Sequence, residues 1–327
     1  MDSYPSVYKY QAADSLIRVI VCMNNLKNLY PCLNSIKQYT EITYETFVVA
    51  YLFDEDNLRK VKADFPWVTF IESNEIRGFA ENNNLALKKA HGKYCFVVND
   101  DTELRMPVID GLLVDFDMLS SKAAILSPKI LDSTGNINSC GNKPTNLFLN
   151  VLAVFRLNKY LYNNYVNGTG LFKTYNIVGS AFLIKTDIFK QIGWFDEKYF
   201  FCPEDIVVSE TINKLGYECW VDSNVEIIHF EGMSCKSLSM TQAATKPAAY
   251  MGEIIHFSDG KLWKQIYVRP IMMFLVLFQS AFHGVVYFLG KETYHKILCI
   301  GYWRCVLTTF SSKTPKKIFI KYFKTER

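Results

Sequence analysis

Several features that would assign this chain to a specialised class of protein are missing from its sequence. Glycine and proline number only 16 and 10 among 327 residues, which excludes a collagen-like or low-complexity chain. The formal net charge is only +4, so overall charge gives no indication of a nucleic-acid partner. Met1–Ser15 is polar and lacks a long apolar core, and a secretory leader is therefore not expected.

The nine cysteines also lack the spacing of a metal or redox motif, because no Cys-x-x-Cys pair occurs. Their number is odd, they are scattered along the chain, and Cys22 and Cys95 lie beside apolar runs. This pattern predicts reduced thiols in the core of a cytosolic protein and argues against a disulfide framework.

What the sequence does contain is ample core-forming material, since half of its residues are hydrophobic. In the first third of the chain, strand-like apolar runs alternate with helical patterns, which predicts an α/β fold with a doubly wound, mostly parallel sheet and helices on both faces. Ligands of such sheets bind beyond the carboxyl ends of the strands. The predicted strands are Ile17–Met23, Thr46–Leu52, Val68–Glu72 and Tyr94–Val98.

A second set of elements follows from Ala123 onward. Ala124–Pro128, Ile177–Ile184 and Val225–Phe230 have the composition of strands, and Glu204–Leu215 has that of a helix closed by a glycine. These elements are expected to form a second half of the fold, from Ala123 to Ser237.

The composition changes again from about Gln242. Ile271–Leu289 is almost entirely apolar and approaches the roughly 20 residues that a bilayer-spanning helix needs. A basic tail follows, with nine Lys and Arg against two Glu between Lys291 and Arg327. Three interpretations are open: a hairpin in the cytoplasmic leaflet against anionic lipid, a buried helix that closes the core, and a true membrane span.

The segment Asn99-Asp100-Asp101-Thr102-Glu103 is the first candidate for chemistry. An apolar strand that ends in two carboxylates creates an oxygen-lined, electronegative site, which suits Mg²⁺ or Mn²⁺ bound to a phosphate. The alternative, taken alone, is a solvated turn rich in Asn and Asp.

Two further segments carry candidate groups. Glu204 and Asp205 open a predicted helix after an aromatic run, where a water-excluding pocket would raise a carboxylate pKa toward that of a general base. The alternative is a favourable interaction with the helix dipole. His229 follows Val225–Ile228, at the end of a predicted strand. It is either a core histidine or a ligand that completes the coordination of the metal ion bound by Asp101.

Taken in order, these segments resemble the motifs of glycosyltransferase family 2, inverting enzymes with the GT-A fold, in the rhamnosyltransferase-like branch. The resemblance covers about residues 17–237. The similar blocks are Arg77–Asn84, Val97–Thr102, Val178–Ile184, Gly193–Glu197, Phe200–Asp205, Gly216-Tyr217 and His229–Ser234.

The resemblance implies a UDP- or dTDP-sugar donor and Mg²⁺ or Mn²⁺ as the cofactor. Asp101 and His229 would hold the metal, and Asp205 would remove a proton from the acceptor hydroxyl with support from Glu204. Trp194 would pack against an acceptor sugar. The expected donor-binding residues are Asn24, Arg77, Asn83, Asn84, Asn99 and Asp100.

The sequence departs from the family pattern at three places. No Asp follows Val48–Tyr51 directly, although Asp54 and Asp56 come soon after. Asn99 replaces the first Asp of the DxD motif. Val207 and Thr211 stand near positions where the family has an Asp and an Arg. A second interpretation is therefore a non-catalytic nucleotide- or glycan-binding scaffold on a degenerate GT-A fold.

The expected organisation is a GT-A domain over residues 1–237 and a helical, apolar and basic segment over 238–327. Within the domain, the nucleotide-sugar half covers about 17–105 and the acceptor half about 123–237. The expected acceptor is a glycan or a lipid-linked glycan, and the expected location is cytoplasmic, peripheral to the inner face of the cell membrane. No nucleic-acid partner is expected.

Overall fold

A computed structural model describes residues 16–42, 44–139, 141–157, 168–230 and 240–324. The first part of the chain alternates strictly between strands and helices. In order, these are β1 (Leu16–Cys22), α1 (Leu26–Gln38), β2 (Tyr44–Tyr51), α2 (Glu55–Asp64), β3 (Val68–Ser73), α3 (Phe79–Leu87) and β4 (Tyr94–Asn99).

The middle of the chain has shorter and more varied elements. They are β5 (Thr102–Leu104), α4 (Val108–Met118), β6 (Ala123–Leu131), β7 (Ile137–Ser139), α5 (Leu147–Val154), β8 (Leu171–Thr174), β9 (Ala181–Lys185), α6 (Thr186–Gln191), α7 (Glu204–Lys214) and β10 (Glu218–His229). The chain then forms only helices: α8 (Met240–Phe257), α9 (Leu262–Gly290), α10 (Thr293–Thr308) and α11 (Pro315–Lys324).

The strands form one sheet in the order β3-β2-β1-β4-β9-β6-β10-β5, with β7 beside β6 and β8 beside β10. The four strands at the β3 end are parallel, so their carboxyl ends meet at one edge, as the alternating pattern predicts. Val19 and Ile20 of β1 are both fully buried although they point to opposite faces. Helices therefore cover both faces, and the predicted fold class is confirmed.

The sheet becomes mixed at β9, which runs antiparallel between β4 and β6. This strand begins at Ala181, later than the predicted Ile177, because the backbone of Gly179 and Ser180 makes other hydrogen bonds. Gly179 N donates to the Asp205 carboxylate, and Ser180 O accepts from Asn99 N. The prediction of one strand over Ile177–Ile184 was therefore too long at its beginning.

Strand β10 is twice as long as predicted, since it begins at Glu218. Its first part pairs with β6 and β8, and its end pairs antiparallel with β5, where His229 lies opposite Thr102. This last pairing brings the end of β10 to the end of β4. The residues 231–239 that follow, including Gly232 and Ser234 of the family-like closing block, lie outside the described residues.

The C-terminal helices pack around a third apolar cluster, separate from the two clusters that flank the sheet. Helix α9 is longer than the predicted run and has two sides. Val268, Met272 and Leu275 are buried against the other helices, whereas Ile266 and Phe274 are 77% and 60% exposed. Within the described part of the chain, α9 is the one helix long and apolar enough to cross a membrane by length and composition.

Candidate active site

The candidate metal-binding end of the site lies where β4 ends. Asp101 follows β4, and its carboxylate Oδ1 lies 3.1 Å from Nε2 of His229. The antiparallel pairing of β5 with β10 fixes this meeting, and Phe230 N donates to Asp101 O at 2.9 Å. The side chains of Asp101 and His229 are only 9% and 12% exposed, so their electrostatic interaction with a bound ion is weakly screened.

Asn99 lies beside the same imidazole. Its side-chain amide is 3.5 Å from Nε2 of His229, and its backbone carbonyl accepts a hydrogen bond from the Thr102 hydroxyl at 2.8 Å. The other imidazole nitrogen, Nδ1 of His229, is buried and has no hydrogen-bond partner among residues that the structure describes.

These groups fit a divalent cation that is shared with a phosphate. They offer a carboxylate oxygen, an imidazole nitrogen and an amide oxygen, a set that suits Mn²⁺ or Mg²⁺. In the described ranges, no three His, Cys, Asp or Glu side chains form a complete metal cage. Mg²⁺ in particular is commonly held by one or two carboxylates together with substrate phosphates, so an incomplete protein cage is what such a site requires.

Asp100 faces the end of β1 instead. It is 9% exposed, and burial raises its pKa to about 7, while a hydrogen bond with the Cys22 thiol acts in the opposite direction. The two adjacent carboxylates of the motif, which both lie in the turn between β4 and β5, therefore have different surroundings.

Asp205 lies in the first turn of α7 and is connected to the end of β4 through the segment Gly179-Ser180. Its Oδ2 accepts a hydrogen bond from Gly179 N at 3.0 Å, and the next residue, Ser180, accepts one from Asn99 N at 2.9 Å. Asp205 and Asn99 are thus connected by two hydrogen bonds through a two-residue segment. Desolvation raises the pKa of Asp205, although hydrogen bonds from Ile206 N and Gly179 N counteract this.

Glu204 precedes this carboxylate and is more deeply buried, at 8% exposure. Desolvation and the neighbouring charge of Asp205 raise the pKa of Glu204 to about 8. Its Oε2 has no hydrogen-bond partner within the described residues. A neutral carboxylic acid here has a proton to donate to a ligand.

The predicted donor segment packs directly on the loop that leads to Glu204. Phe79 N donates to Phe200 O at 3.0 Å, and a Cβ added to Gly78 would lie 2.1 Å from that same oxygen. Only glycine permits this close approach of two backbones. Glu81 completes the start of α3, since its Oε2 accepts from Gly78 N at 3.1 Å.

The polar side chains of the donor segment are used in two ways. Arg77 is 23% exposed, and it donates to Ser73 Oγ and to Glu75 Oε2 at the carboxyl end of β3. Asn83 and Asn84 are each only 1% exposed, and their amides bind the carbonyls of Phe79 and Phe195. Both asparagines thus hold α3 in place within the protein.

Asn24 lies at the end of β1 with a left-handed backbone, at a φ of 46°. Its amide nitrogen donates to Asp54 Oδ2 at 2.9 Å, and its oxygen accepts from Asn57 at 3.0 Å. The sequence showed no Asp directly after β2, but Asp54 occupies the equivalent edge of the sheet, where it also caps α2. A short segment separates β2 from α2, so this Asp comes three residues after the strand and not directly after it.

Trp194, predicted to contact the acceptor, faces a different part of the surface from Asp101 and His229. It packs edge-on against Phe189 and lines a separate cavity of about 430 Å³ with Val207 and Thr211. On an α-helix, Val207 and Thr211 lie about 200° and 240° from Asp205, on another side of α7.

Comparison with known proteins agrees with this architecture. The model of the family "Glycosyl transferase family 2" matches residues 18–193, which is more than half of the chain. Among curated proteins, none matches the sequence significantly.

Two solved structures with similar folds illustrate the likeness. The crystal structure of GalNAc-T7 with UDP, GalNAc and Mn²⁺ has a TM-score of 0.54 and 16% identity, over 68% of this chain and 45% of that one. This chain therefore spans less than half of that protein. The mannosyltransferase PcManGT from Pyrobaculum calidifontis, in complex with GDP-Man and Mn²⁺, has a TM-score of 0.54 and 13% identity, over 93% and 89% of the two chains.

At these identities the solved structures establish the fold alone, and the family match adds the sequence relationship. Together they identify the chain as a GT-A-fold glycosyltransferase that belongs to glycosyltransferase family 2.

Proposed function

We propose that this protein transfers a hexose or deoxyhexose, with inversion, from a nucleotide-diphosphate donor to a hydroxyl group of a glycan or lipid-linked glycan. The observation that carries the proposal is the connection of Asp205 to Asn99 through Gly179 and Ser180. This connection supports Asp205 as a base that acts near the end of β4, next to Asp101. The nucleotides and Mn²⁺ in the two similar structures support a metal-assisted nucleotide-sugar donor for this chain too.

Asp101 and His229 would hold Mg²⁺ or Mn²⁺, with Asn99 nearby. When bound, the cation supplies charge stabilisation for the diphosphate that leaves the sugar. Breaking the sugar–phosphate bond also builds positive charge on the sugar ring. A single displacement from the opposite face inverts the anomeric carbon, by the two-face logic of inverting sugar hydrolysis.

Asp205 acts as the general base in this proposal. Within the described part of the chain, its Oδ atoms accept hydrogen bonds only from backbone N–H groups, so the carboxylate stays oriented while it takes the proton of the acceptor hydroxyl. Desolvation raises its pKa, which makes it a stronger base than an exposed aspartate.

Glu204 orients the acceptor in this proposal. Its raised pKa keeps it protonated near neutral pH, and its unpartnered Oε2 is buried beside the base. A buried polar atom without a partner costs free energy, which a hydroxyl group of the acceptor would recover.

On the donor side, we assign Arg77 and Asn24 to direct contact with the nucleotide, since both are partly exposed at strand ends. Asp100 stabilises the turn that presents Asp101. Asn83 and Asn84 position α3, because their amides are already engaged with backbone carbonyls. Asp54, held by Asn24, is an additional candidate for contact with the base of a UDP- or dTDP-sugar.

A peripheral attachment to the inner face of the cell membrane is part of the proposal. The outer side of α9 exposes a row of large apolar side chains, and a lipid surface would remove them from water. Exposed lysines in and before α11 would favour anionic lipid. The exposed apolar residues of α9 include Leu262, Trp263, Ile266, Phe274, Phe282, Phe288 and Leu289.

Vesicle binding tests this attachment. Phe274→Glu should lower the fraction that cosediments with phosphatidylglycerol-containing vesicles, whereas Leu215→Glu, at an exposed apolar position after α7, should not. An equal loss of vesicle binding in both variants, or no loss in either, would contradict the assignment of the outer side of α9 as the membrane-binding surface.

The catalytic proposal is tested by incubating the protein with a panel of nucleotide sugars, with and without Mn²⁺ or Mg²⁺. The expected result is metal-dependent release of nucleoside diphosphate with one or a few donors, increased by a glycan acceptor. Donor binding without any release, in the presence of acceptors, would favour the scaffold interpretation instead.

A further inference from the structure

A second cavity lies among the C-terminal helices, away from the sheet. It has a volume of about 750 Å³ and is bounded by α5, α8, α9 and α10. Its volume lies within the roughly 300–1,000 Å³ that is usual for ligand pockets. Most of its wall is apolar, and the lining side chains include Val154, Met272, Leu275, Val276, Ile297 and Leu298.

Two charged side chains of α8, Lys246 and Glu253, also face this cavity. They lie seven residues apart, which is two helical turns or about 10 Å, on one side of the helix. The ammonium of Lys246 lies 4.2 Å from the ring centre of Tyr302, and its stem contacts Gly301. Among residues that the structure describes, neither charged group has a hydrogen bond or ion pair.

Glu253 marks the end of the cavity nearest the catalytic loop. Its neighbour Gly252 packs so closely that an added Cβ would lie 2.5 Å from Cys202 O, two residues before Glu204. Glu253 therefore lies beside the loop that leads to Glu204 and Asp205.

The opposite end of the cavity reaches the surface. Tyr294 lines it and is 48% exposed, so this residue lies at the rim. Leu275 and Val276 of the wall belong to α9, and the next two residues of that helix, Leu277 and Phe278, are each 43% exposed on its outer side. The cavity wall thus adjoins the exposed apolar side of α9.

We infer that this cavity binds the lipid anchor of the acceptor, an apolar chain ending in a phosphate, with the phosphate at Lys246. This inference rests on the proposed glycosyl transfer and names the acceptor class for it. The apolar wall takes the chain, and the cation supplies a charge-assisted hydrogen bond to the phosphate.

The occupant follows from the pairing of these features. Within the described residues, the ammonium of Lys246 has no ion-pair partner and lies beside an aromatic ring, so it favours a ligand with a negative charge. A neutral lipid has no such charge. The apolar wall, in turn, offers nothing to a free phosphate or nucleotide beyond that one cation. A phosphate joined to a long apolar chain satisfies both.

Farnesyl phosphate is a suitable probe, and isothermal titration calorimetry below its micelle concentration measures its binding to the full-length protein. Farnesyl phosphate should bind, while inorganic phosphate and farnesol should each bind at least about tenfold more weakly. Lys246→Met preserves the aliphatic stem and should weaken farnesyl phosphate binding by about tenfold to a hundredfold. The control Lys296→Met, on the exposed side of α10, should leave it unchanged.

Leu298→Trp provides a second test, because it fills the cavity without touching the charge. It should weaken farnesol and farnesyl phosphate binding alike, with an unchanged melting temperature showing that the variant folds. The inference is overturned if farnesyl phosphate does not bind, if Lys246→Met binds it as well as the parent, or if inorganic phosphate binds equally well.

The release of nucleoside diphosphate in the presence of a water-soluble acceptor separates the two proposals. Lys246→Met should retain this activity and lose only the preference for a lipid-linked acceptor. If the parent releases no nucleoside diphosphate with any acceptor, the proposed function fails. If it does so but never binds the lipid probe, only the inference about the cavity fails.

Discussion

The C-terminal helix α11 is expected to hold the donor segment against the catalytic loop. Lys316 Nζ lies 2.7 Å from Glu81 Oε1, while the other oxygen of Glu81 accepts from Gly78 N. Phe319 packs on the catalytic loop, at 4.8 Å and 5.8 Å between ring centres with Phe200 and Phe201. One helix near the end of the chain thus touches both sides of the candidate site.

The size of the effect follows from exposure. The side chains of Lys316 and Glu81 are 37% and 19% exposed, so solvent screens the pair and its contribution is about 0.5–1 kcal/mol. Phe319 is 3% exposed, and Phe319→Ala should cost about 3–5 kcal/mol through the cavity it leaves. The ion pair is therefore the milder perturbation and the better test of positioning.

The assay is urea unfolding of Lys316→Met, Glu81→Gln and the double variant, together with the KM for the donor. A double-mutant cycle should give a coupling free energy of about 0.5–1 kcal/mol, and the donor KM should rise in both single variants. Lys317→Met, exposed on the same helix, is the matched control. A coupling within about 0.3 kcal/mol of zero and an unchanged KM would refute the reasoning.

Two further substitutions test the packing and the electrostatics of the catalytic loop. Gly78→Ala should lower the free energy of unfolding by about 1–3 kcal/mol and raise the donor KM, because the backbones of Gly78 and Phe200 must separate. The control Gly290→Ala has open space around the new methyl group, and urea unfolding should show an unchanged or slightly higher stability. The parent should lose stability between about pH 4.5 and pH 8, because its folded form keeps a proton on Glu204 that the unfolded chain releases. Glu204→Gln has no such proton, so its stability relative to the parent should increase over this pH range. Melting temperatures across pH 5–9 measure this, and a difference that shrinks as the pH rises would contradict the raised pKa.

The residues that could be predicted from the sequence share one property: each directly follows the strand pattern from which its position was predicted. The apolar run Tyr94–Val98 leads directly into Asn99 and Asp101, and the strand ending at His229 behaves in the same way. Since carboxyl ends of parallel strands meet at one edge, the local patterns were sufficient to predict that Asp101 and His229 lie close together, as they do in the structure.

The features that could not be predicted depend on contacts between distant parts of the chain. The antiparallel insertion of β9 shortens a strand that by composition should begin at Ile177. The hydrogen bonds of Asn84 to Phe195 and the ion pair of Lys316 with Glu81 connect residues separated by 111 and 235 positions. No local periodicity encodes such pairs, because they arise only when the elements pack.

The C-terminal segment shows a further limit of the sequence pattern. By composition, its apolar run is compatible with a hairpin on the membrane surface, a buried helix and a membrane span. In the folded chain, α9 uses one side for packing and exposes the other, so average hydropathy conceals two different surfaces.

The central claim is that Asp101 serves the metal-bound donor while Asp205 serves the acceptor in one cleft. The most direct measurement compares Mn²⁺-dependent binding of the nucleotide-sugar donor with sugar transfer in Asp101→Asn and Asp205→Asn. Asp101→Asn should lose both the metal dependence of donor binding and transfer. Asp205→Asn should bind donor and Mn²⁺ like the parent and lose transfer by several orders of magnitude, and undiminished transfer in this variant would contradict the account.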